Sequence, residues 1–176
     1  MSASERVGTT RTLYLLRHAK SSWDDPTLAD HERPLAPRGR RDAKRIAEHL
    51  RRLGHEPQLI LCSSAVRTRE TVELMQPALT VSTVQVEEEL YAASTDGLLA
   101  RVRLVPDEVT SVMLIGHNPG LQLLALLLAS GGDGLERLRE KFPTAALATL
   151  ELPSGWTGLG AGGATLADYV IPKQLR

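Results

Sequence analysis

The chain has 176 residues, 42% of them hydrophobic and 24% charged, the ordinary balance of a single soluble domain with a sizeable core. Lys plus Arg and Asp plus Glu stand at 21 each, so bulk charge gives no reason to expect nucleic acid or a membrane surface as partner. Aromatic residues make up only 3%, which requires a mostly aliphatic core.

In chain order, residues 1–11 read as a flexible N-terminal tail and 12–176 as one domain. The stretch Met1 to Thr12 lacks the apolar centre of a signal peptide, so a cytoplasmic location is expected. The apolar run Leu13-Tyr14-Leu15-Leu16 reads as a buried strand ending abruptly in Arg17-His18. Ser21 to Pro37 is a long polar connection, of the kind that is usually functional or mobile. A helix is predicted over Arg38 to Leu53. Ala43, Ile46, Ala47, Leu50 and Leu53 share its apolar face, and Gly54 stops it. The opposite face carries Arg40, Arg41, Lys44, Arg45, Arg51 and Arg52, either a solvated surface or a docking surface for an acidic partner.

Gln58 to Cys62 reads as a second strand. Cys62 is the sole cysteine, which excludes an intrachain disulfide, and its apolar neighbours imply a buried thiol. Ser63-Ser64 offers an N-cap for a helix to about Gln76, and Val81 to Val86 reads as a third strand. Ser94 can cap a helix carrying Leu98, Leu99 and Val102, stopped by Pro106. Ser111 to Ile115 is apolar almost throughout, as a central parallel strand should be. Asn118 at N-cap and Pro119 at N1 then open a Leu-rich helix that ends at Ser130-Gly131-Gly132. Its apolar stretch Leu121 to Ala129 is far short of the roughly 20 residues that span a membrane. A partly helical link leads to Phe142, and strands at Ala145–Leu152 and Ala164–Ile171 close the chain. The alternation implies an α/β fold with a mainly parallel sheet, with an antiparallel strand in the final pair.

Three strand ends carry groups that local structure does not want. Arg17-His18 ends the first. With Ser64 as N-cap, Arg67 falls at N3, where a capping box would place Glu or Gln, and its cation faces the positive end of the helix dipole. Arg69 can pair with Glu73 one turn on; Arg67 has no such partner, which points to an anion. His117 precedes the N-cap of the Leu-rich helix. All three follow strands of one parallel sheet, so their side chains can meet in one crevice at its carboxyl edge. His31, His49 and His55 read as exposed polar residues. No Cys/His or carboxylate cluster has metal-ligand spacing, and no Gly-rich nucleotide loop is present.

Two histidines among two arginines suit phosphate chemistry. Arginine pairs bidentately with phosphate oxygens. Guanidinium charges hold an imidazole below its ordinary pKa of about 6.5 and leave one nitrogen free to attack. His18 would take the phosphoryl group and pass it to water, with Arg17, Arg67 and His117 holding the equatorial oxygens. Neither a metal nor a cofactor is required.

These motifs resemble the histidine phosphatase superfamily, the phosphoglycerate-mutase-like proteins. Leu-Leu-Arg17-His18-Ala-Lys-Ser-Ser-Trp23, Glu32-Arg33-Pro34-Leu35, Arg38-Gly39 and Lys141-Phe142-Pro143-Thr144 are similar to its SixA-type phosphohistidine phosphatase branch. Ser63-Ser64-Ala-Val-Arg67-Thr68 and Gly116-His117-Asn118-Pro119 resemble the superfamily's second-arginine and second-histidine motifs. The resemblance spans about residues 12–152. It implies a three-layer fold: a six-stranded, mostly parallel sheet with one antiparallel strand and helices on both faces. It also implies a phosphorylated His18 nucleophile, with Arg17, Arg67 and His117 as the phosphate pocket. The substrate would be phosphohistidine on a signalling phosphotransfer protein. A phosphatase of small phosphate esters and a non-catalytic phosphate-binding or docking module are the alternatives. Two departures stand out. Mutase-like relatives have Asn where this chain has Asp24, and the place of their glutamate acid falls at Ala92, with Glu88 and Glu89 nearby. An imidazole leaving group needs far less protonation than a sugar alkoxide, so a missing acid favours a phosphoramidate.

Overall fold

The computed structural model describes residues 8–80 and 83–175. Most of the expected tail, residues 1–7, and the opening of the expected third strand, 81–82, lie outside the described residues. The elements follow in the order β1 (Arg11–Arg17), α1 (Pro37–Leu53), β2 (Leu59–Ser63), α2 (Val66–Met75), β3 (Thr83–Glu87), α3 (Thr95–Arg103), β4 (Ser111–Gly116), α4 (Gly120–Leu128), α5 (Leu135–Glu140), β5 (Leu147–Leu152) and β6 (Thr165–Val170).

The strands form one sheet in the order β3-β2-β4-β1-β5-β6. β1, β2, β3 and β4 pair in parallel, whereas β5 runs antiparallel to both β1 and β6. β5 is therefore the one reversed strand, and the expected fold class holds. Alternation along β1 divides two cores. Leu13 and Leu15 pack with Leu98, Leu121 and Leu124 from α3 and α4, while Tyr14 and Leu16 pack with Ile46, Leu50 and Met75 from α1 and α2. Side chains on opposite faces of one pleated strand thus hold a helical layer on each side. Cys62 is fully buried, as its neighbours imply, and burial pushes its thiol up to about 12.

Several local expectations are corrected. β1 begins at Arg11, inside the expected tail. α2 has Ala65 at N-cap with no side-chain cap, which moves Arg67 from N3 to N2. The two serines are otherwise engaged: Ser63 Oγ accepts from His117 Nε2 at 2.7 Å, and Ser64 Oγ pairs with His31 Nε2 at 2.9 Å. α4 starts at Gly120 behind Pro119; the Asn118 side chain still serves this end, its Oδ1 accepting from the Gln122 amide at 3.3 Å while its Nδ2 donates to the Phe142 carbonyl at 2.9 Å. It stops at Leu128, since Ala129 forms a parallel bridge with Ala164. Arg69 donates to the Ser64 carbonyl (3.1 Å) rather than pairing with Glu73. His31, His49 and His55 are half-buried, not exposed; His49 lies 3.7 Å from Asp168 and His55 packs on Tyr14. Ser94 caps α3 as expected, accepting from the Gly97 amide.

Candidate active site

The register of the sheet sets Arg17 beside Gly116 and Cys62 beside Ile115. The carboxyl ends of β1, β2 and β4 therefore finish level, and the residues that follow them converge. The turn after β1 is held from three sides. The His18 amide donates to the Gly116 carbonyl (3.1 Å), the Ala19 amide to Thr71 Oγ1 (3.1 Å), and the Ala145 amide to the carbonyls of Arg17 and His18. Ala145 accommodates this with a positive φ of 58°, an uncommon conformation for a residue with a side chain.

His18 is 6% exposed. Its Nδ1 lies 2.8 Å from the Ala19 carbonyl; a carbonyl only accepts, so Nδ1 carries the hydrogen and Nε2 keeps its lone pair. Arg67 Nε donates to that Nε2 at 3.3 Å, and Arg67 Nη2 lies 3.3 Å from His117 Nδ1. Since guanidinium only donates, His117 Nδ1 accepts and its Nε2–H goes to Ser63 Oγ. The two imidazole centroids are 5.2 Å apart. Burial is the largest influence on both rings. It takes His18 down to about 3, opposed by the Ala19 hydrogen bond and assisted by His117, Arg67 and Arg17. His117 falls to about 4 through burial and then the Arg67 charge. Both imidazoles are neutral at neutral pH, and His18 Nε2 is the free base of the site.

Arg17 donates from Nη1 to the Phe142 carbonyl at 3.0 Å, while its buried Nε has no partner among the described residues. Burial, and then the Arg67 charge, lower its pKa. A buried N–H without an acceptor is a costly group that an anionic ligand would satisfy. The four residues singled out in the sequence, Arg17, His18, Arg67 and His117, line one cavity of about 290 Å³.

Two further residues of that cavity carried little sequence signal. Asp30 sits on a short 3-10 turn (Asp30–Glu32) within the long connection. Its carboxylate meets Arg67 Nη2 at 3.0 Å, its carbonyl accepts from Arg67 Nη1 at 2.7 Å, and Tyr91 donates to it at 2.6 Å. The Tyr91 hydrogen bond, and then Arg67, hold its carboxyl below the usual range. Arg33 is buried; Nη2 donates to Ser21 Oγ (2.8 Å), Nε to the Ser22 carbonyl (3.0 Å), and the plane stacks on exposed Trp23. Its place within Glu32-Arg33-Pro34-Leu35 was the only available clue. Asp24 is exposed and does not line the cavity; the same holds for Glu88 and Glu89. Ala92 lines an adjoining, largely apolar cavity of about 500 Å³ that touches His117. Among the described residues no three His, Cys, Asp or Glu side chains form a metal-holding group.

The fold and this arrangement gather two histidines and two arginines around one cavity at the carboxyl edge of an α/β sheet. A family model described as histidine phosphatase superfamily, branch 1, matches residues 13–94. A proposed phosphohistidine phosphatase SixA from Agrobacterium tumefaciens is 33% identical, with 91% of this chain and 97% of that one covered and a TM-score of 0.76. Another, from Nakamurella multipartitia, is 30% identical over 92% of this chain and 95% of that one, with a TM-score of 0.80. The Mycobacterium tuberculosis protein Rv1276c is 37% identical over 165 residues, 90% of this chain and all of the relative. The chain belongs to the histidine phosphatase superfamily, in its SixA-type branch. That membership supports phosphatase activity.

Proposed function

We propose that this protein is a metal-independent phosphohistidine phosphatase acting through a covalent intermediate on His18. The observation that carries the reading is the tautomer of His18. Nδ1 is committed to the Ala19 carbonyl, and the Nε2 lone pair faces the Arg67 guanidinium inside the cavity. A phosphoryl group entering there displaces the weak 3.3 Å contact and takes the Arg67 hydrogens for its own oxygens. Arg17 Nε, without a partner, and the Arg67 fork then stabilise the equatorial oxygens as charge redistributes. His117 holds Arg67 in that orientation.

In the first step His18 Nε2 forms a bond to phosphorus and the bond from phosphorus to the substrate's imidazole nitrogen breaks. With the other nitrogen of the substrate ring protonated, the departing imidazole keeps the electron pair and leaves as the neutral ring; its conjugate acid has a pKa near 6.5, so no strong acid is needed. In the second step water attacks phosphorus, the P–Nε2 bond breaks, and inorganic phosphate leaves. Ala92 at the place of the relatives' acid supports the phosphoramidate. An alkoxide leaving group would forgo the factor of about 10² to 10⁴ that general acid catalysis supplies.

A substrate panel tests this reading. A phosphohistidine peptide should exceed sugar phosphates and nucleotides in kcat/KM by about 100-fold or more. Turnover confined to the small esters would contradict it and favour the small-molecule alternative.

A further inference from the structure

The long connection and the turn before β5 leave the catalytic cavity open on one side. A depression of about 470 Å³ shares Arg17, Lys20, Asn118 and Thr144 with the cavity. Through Arg38, Lys141, Pro143 and Thr144 it continues into another of about 340 Å³. Together they make one groove leading from His18 along the start of α1. Beyond Arg17, its cationic lining is Lys20, Arg38, Arg41, Arg45, Lys141 and Lys173, against the carboxylates of Asp42 and Glu140 only.

Asp42 offsets only part of this charge. It is buried beneath Arg38 (3.4 Å) and Arg45 (3.5 Å), whose side chains stay 68% and 51% exposed. Lys20, Arg41, Lys141 and Lys173 are exposed and have no carboxylate within ion-pair distance among the described residues. Two other arginines of α1 do find carboxylates, Arg40 with Glu70 and Arg51 with Glu48. In a chain with zero net charge, unpaired cations gathered in one groove that opens into the active site are a local device. Like charges held this close repel one another unless an anion lies among them. Arg38, Arg41 and Arg45 stand at i, i+3 and i+7, a row about 10 Å long on one helix face. That is the reach of about three residues of extended chain, too long for a single phosphate.

We propose that this groove docks an acidic segment of the phosphoprotein substrate, a run of Asp and Glu side chains flanking the phosphohistidine. The proposal rests on the phosphohistidine reading above and specifies which phosphoproteins the site selects. The acidic run would lie along Arg41, Arg45 and Lys173 while the phosphoryl group sits at His18. Such contacts act through encounter and KM, and they are screened by salt.

Two phosphohistidine peptides, one flanked on both sides by glutamates and one by serines, test it with wild-type protein, R41E/R45E/K173E and R41A/R45A/K173A. The glutamate peptide should show a kcat/KM about tenfold higher, chiefly in KM, at about 0.05 M NaCl. The preference should vanish at about 0.5 M NaCl and in both variants. Turnover of the serine peptide should be unchanged, which also shows that the variants fold. Equal kcat/KM for the two peptides, or a preference that survives both substitutions, overturns the docking proposal alone. Turnover of neither peptide, with a small phosphate ester hydrolysed, overturns the phosphohistidine reading. Fluorescence anisotropy of the unphosphorylated glutamate peptide then still decides the groove, since binding lost in the variants supports it and no binding refutes it. Equal binding of a single-stranded oligonucleotide would also overturn it, reassigning the groove to a phosphate backbone.

Discussion

Arg67 is the residue on which the site turns. One guanidinium donates to His18 Nε2, faces His117 Nδ1, and is gripped by the carboxylate and carbonyl of Asp30. Lysine would keep the charge but lose the planar fork that serves both imidazoles at once. Arg67→Lys should therefore lower kcat/KM by about 10² to 10³, the scale of one lost transition-state donor, with little change in melting temperature. Retention of activity within a few-fold would remove Arg67 from the proposed chemistry. The Asp30 carboxylate is a counter-charge shared by Arg67 (3.0 Å) and Arg33 (3.4 Å). Among the residues of the long connection it had no distinguishing pattern; only its packing against Tyr91 and Arg67 reveals it.

At the scale of elements, the site depends on how closely α1 approaches the turn after β1. Gly39, in the first turns of α1, is buried against the backbone of Lys20. A Cβ there would stand 2.9 Å from the Lys20 nitrogen and closer still to its carbonyl oxygen. Gly39→Ala should destabilise the fold by about 1–3 kcal/mol, as overpacking does, and displace the His18 turn enough to lower kcat. Denaturant unfolding checks the first effect and turnover the second; an unchanged midpoint would show that the contact relaxes freely. The strands that deliver Arg17, Arg67 and His117 were legible because each is a short apolar run with an abrupt polar end. Caps were less so. Ser63 and Ser64 are good N-cap residues in isolation, yet His117 and His31 claim their hydroxyls across the fold. The serine cap that sets Arg67 apart in the sequence does not form, and its carboxylate partner is Asp30 on the long connection rather than a residue of its own helix.

Across the whole molecule, the site has an acid-stability consequence. His18 and His117 stay neutral down to about 3 and about 4 in the folded protein, whereas an unfolded imidazole protonates near pH 6.5. Below pH 6.5 the unfolded chain binds protons that the native state refuses, so stability is lost as pH falls and is full above that value. His18→Gln should flatten the decline in melting temperature between pH 6.5 and 5, and imidazole nitrogen shifts of both wild-type rings should stay at neutral values throughout. A midpoint near 6.5 for either ring would contradict the described burial. The most direct measurement is rapid acid-free quenching of the enzyme during turnover of a phosphohistidine peptide, followed by mapping of protein-bound phosphate. Acid-labile phosphate on Nε2 of His18, absent from His18→Asn, is the expected result. Label on another residue, or none on wild type while turnover proceeds, would contradict the account.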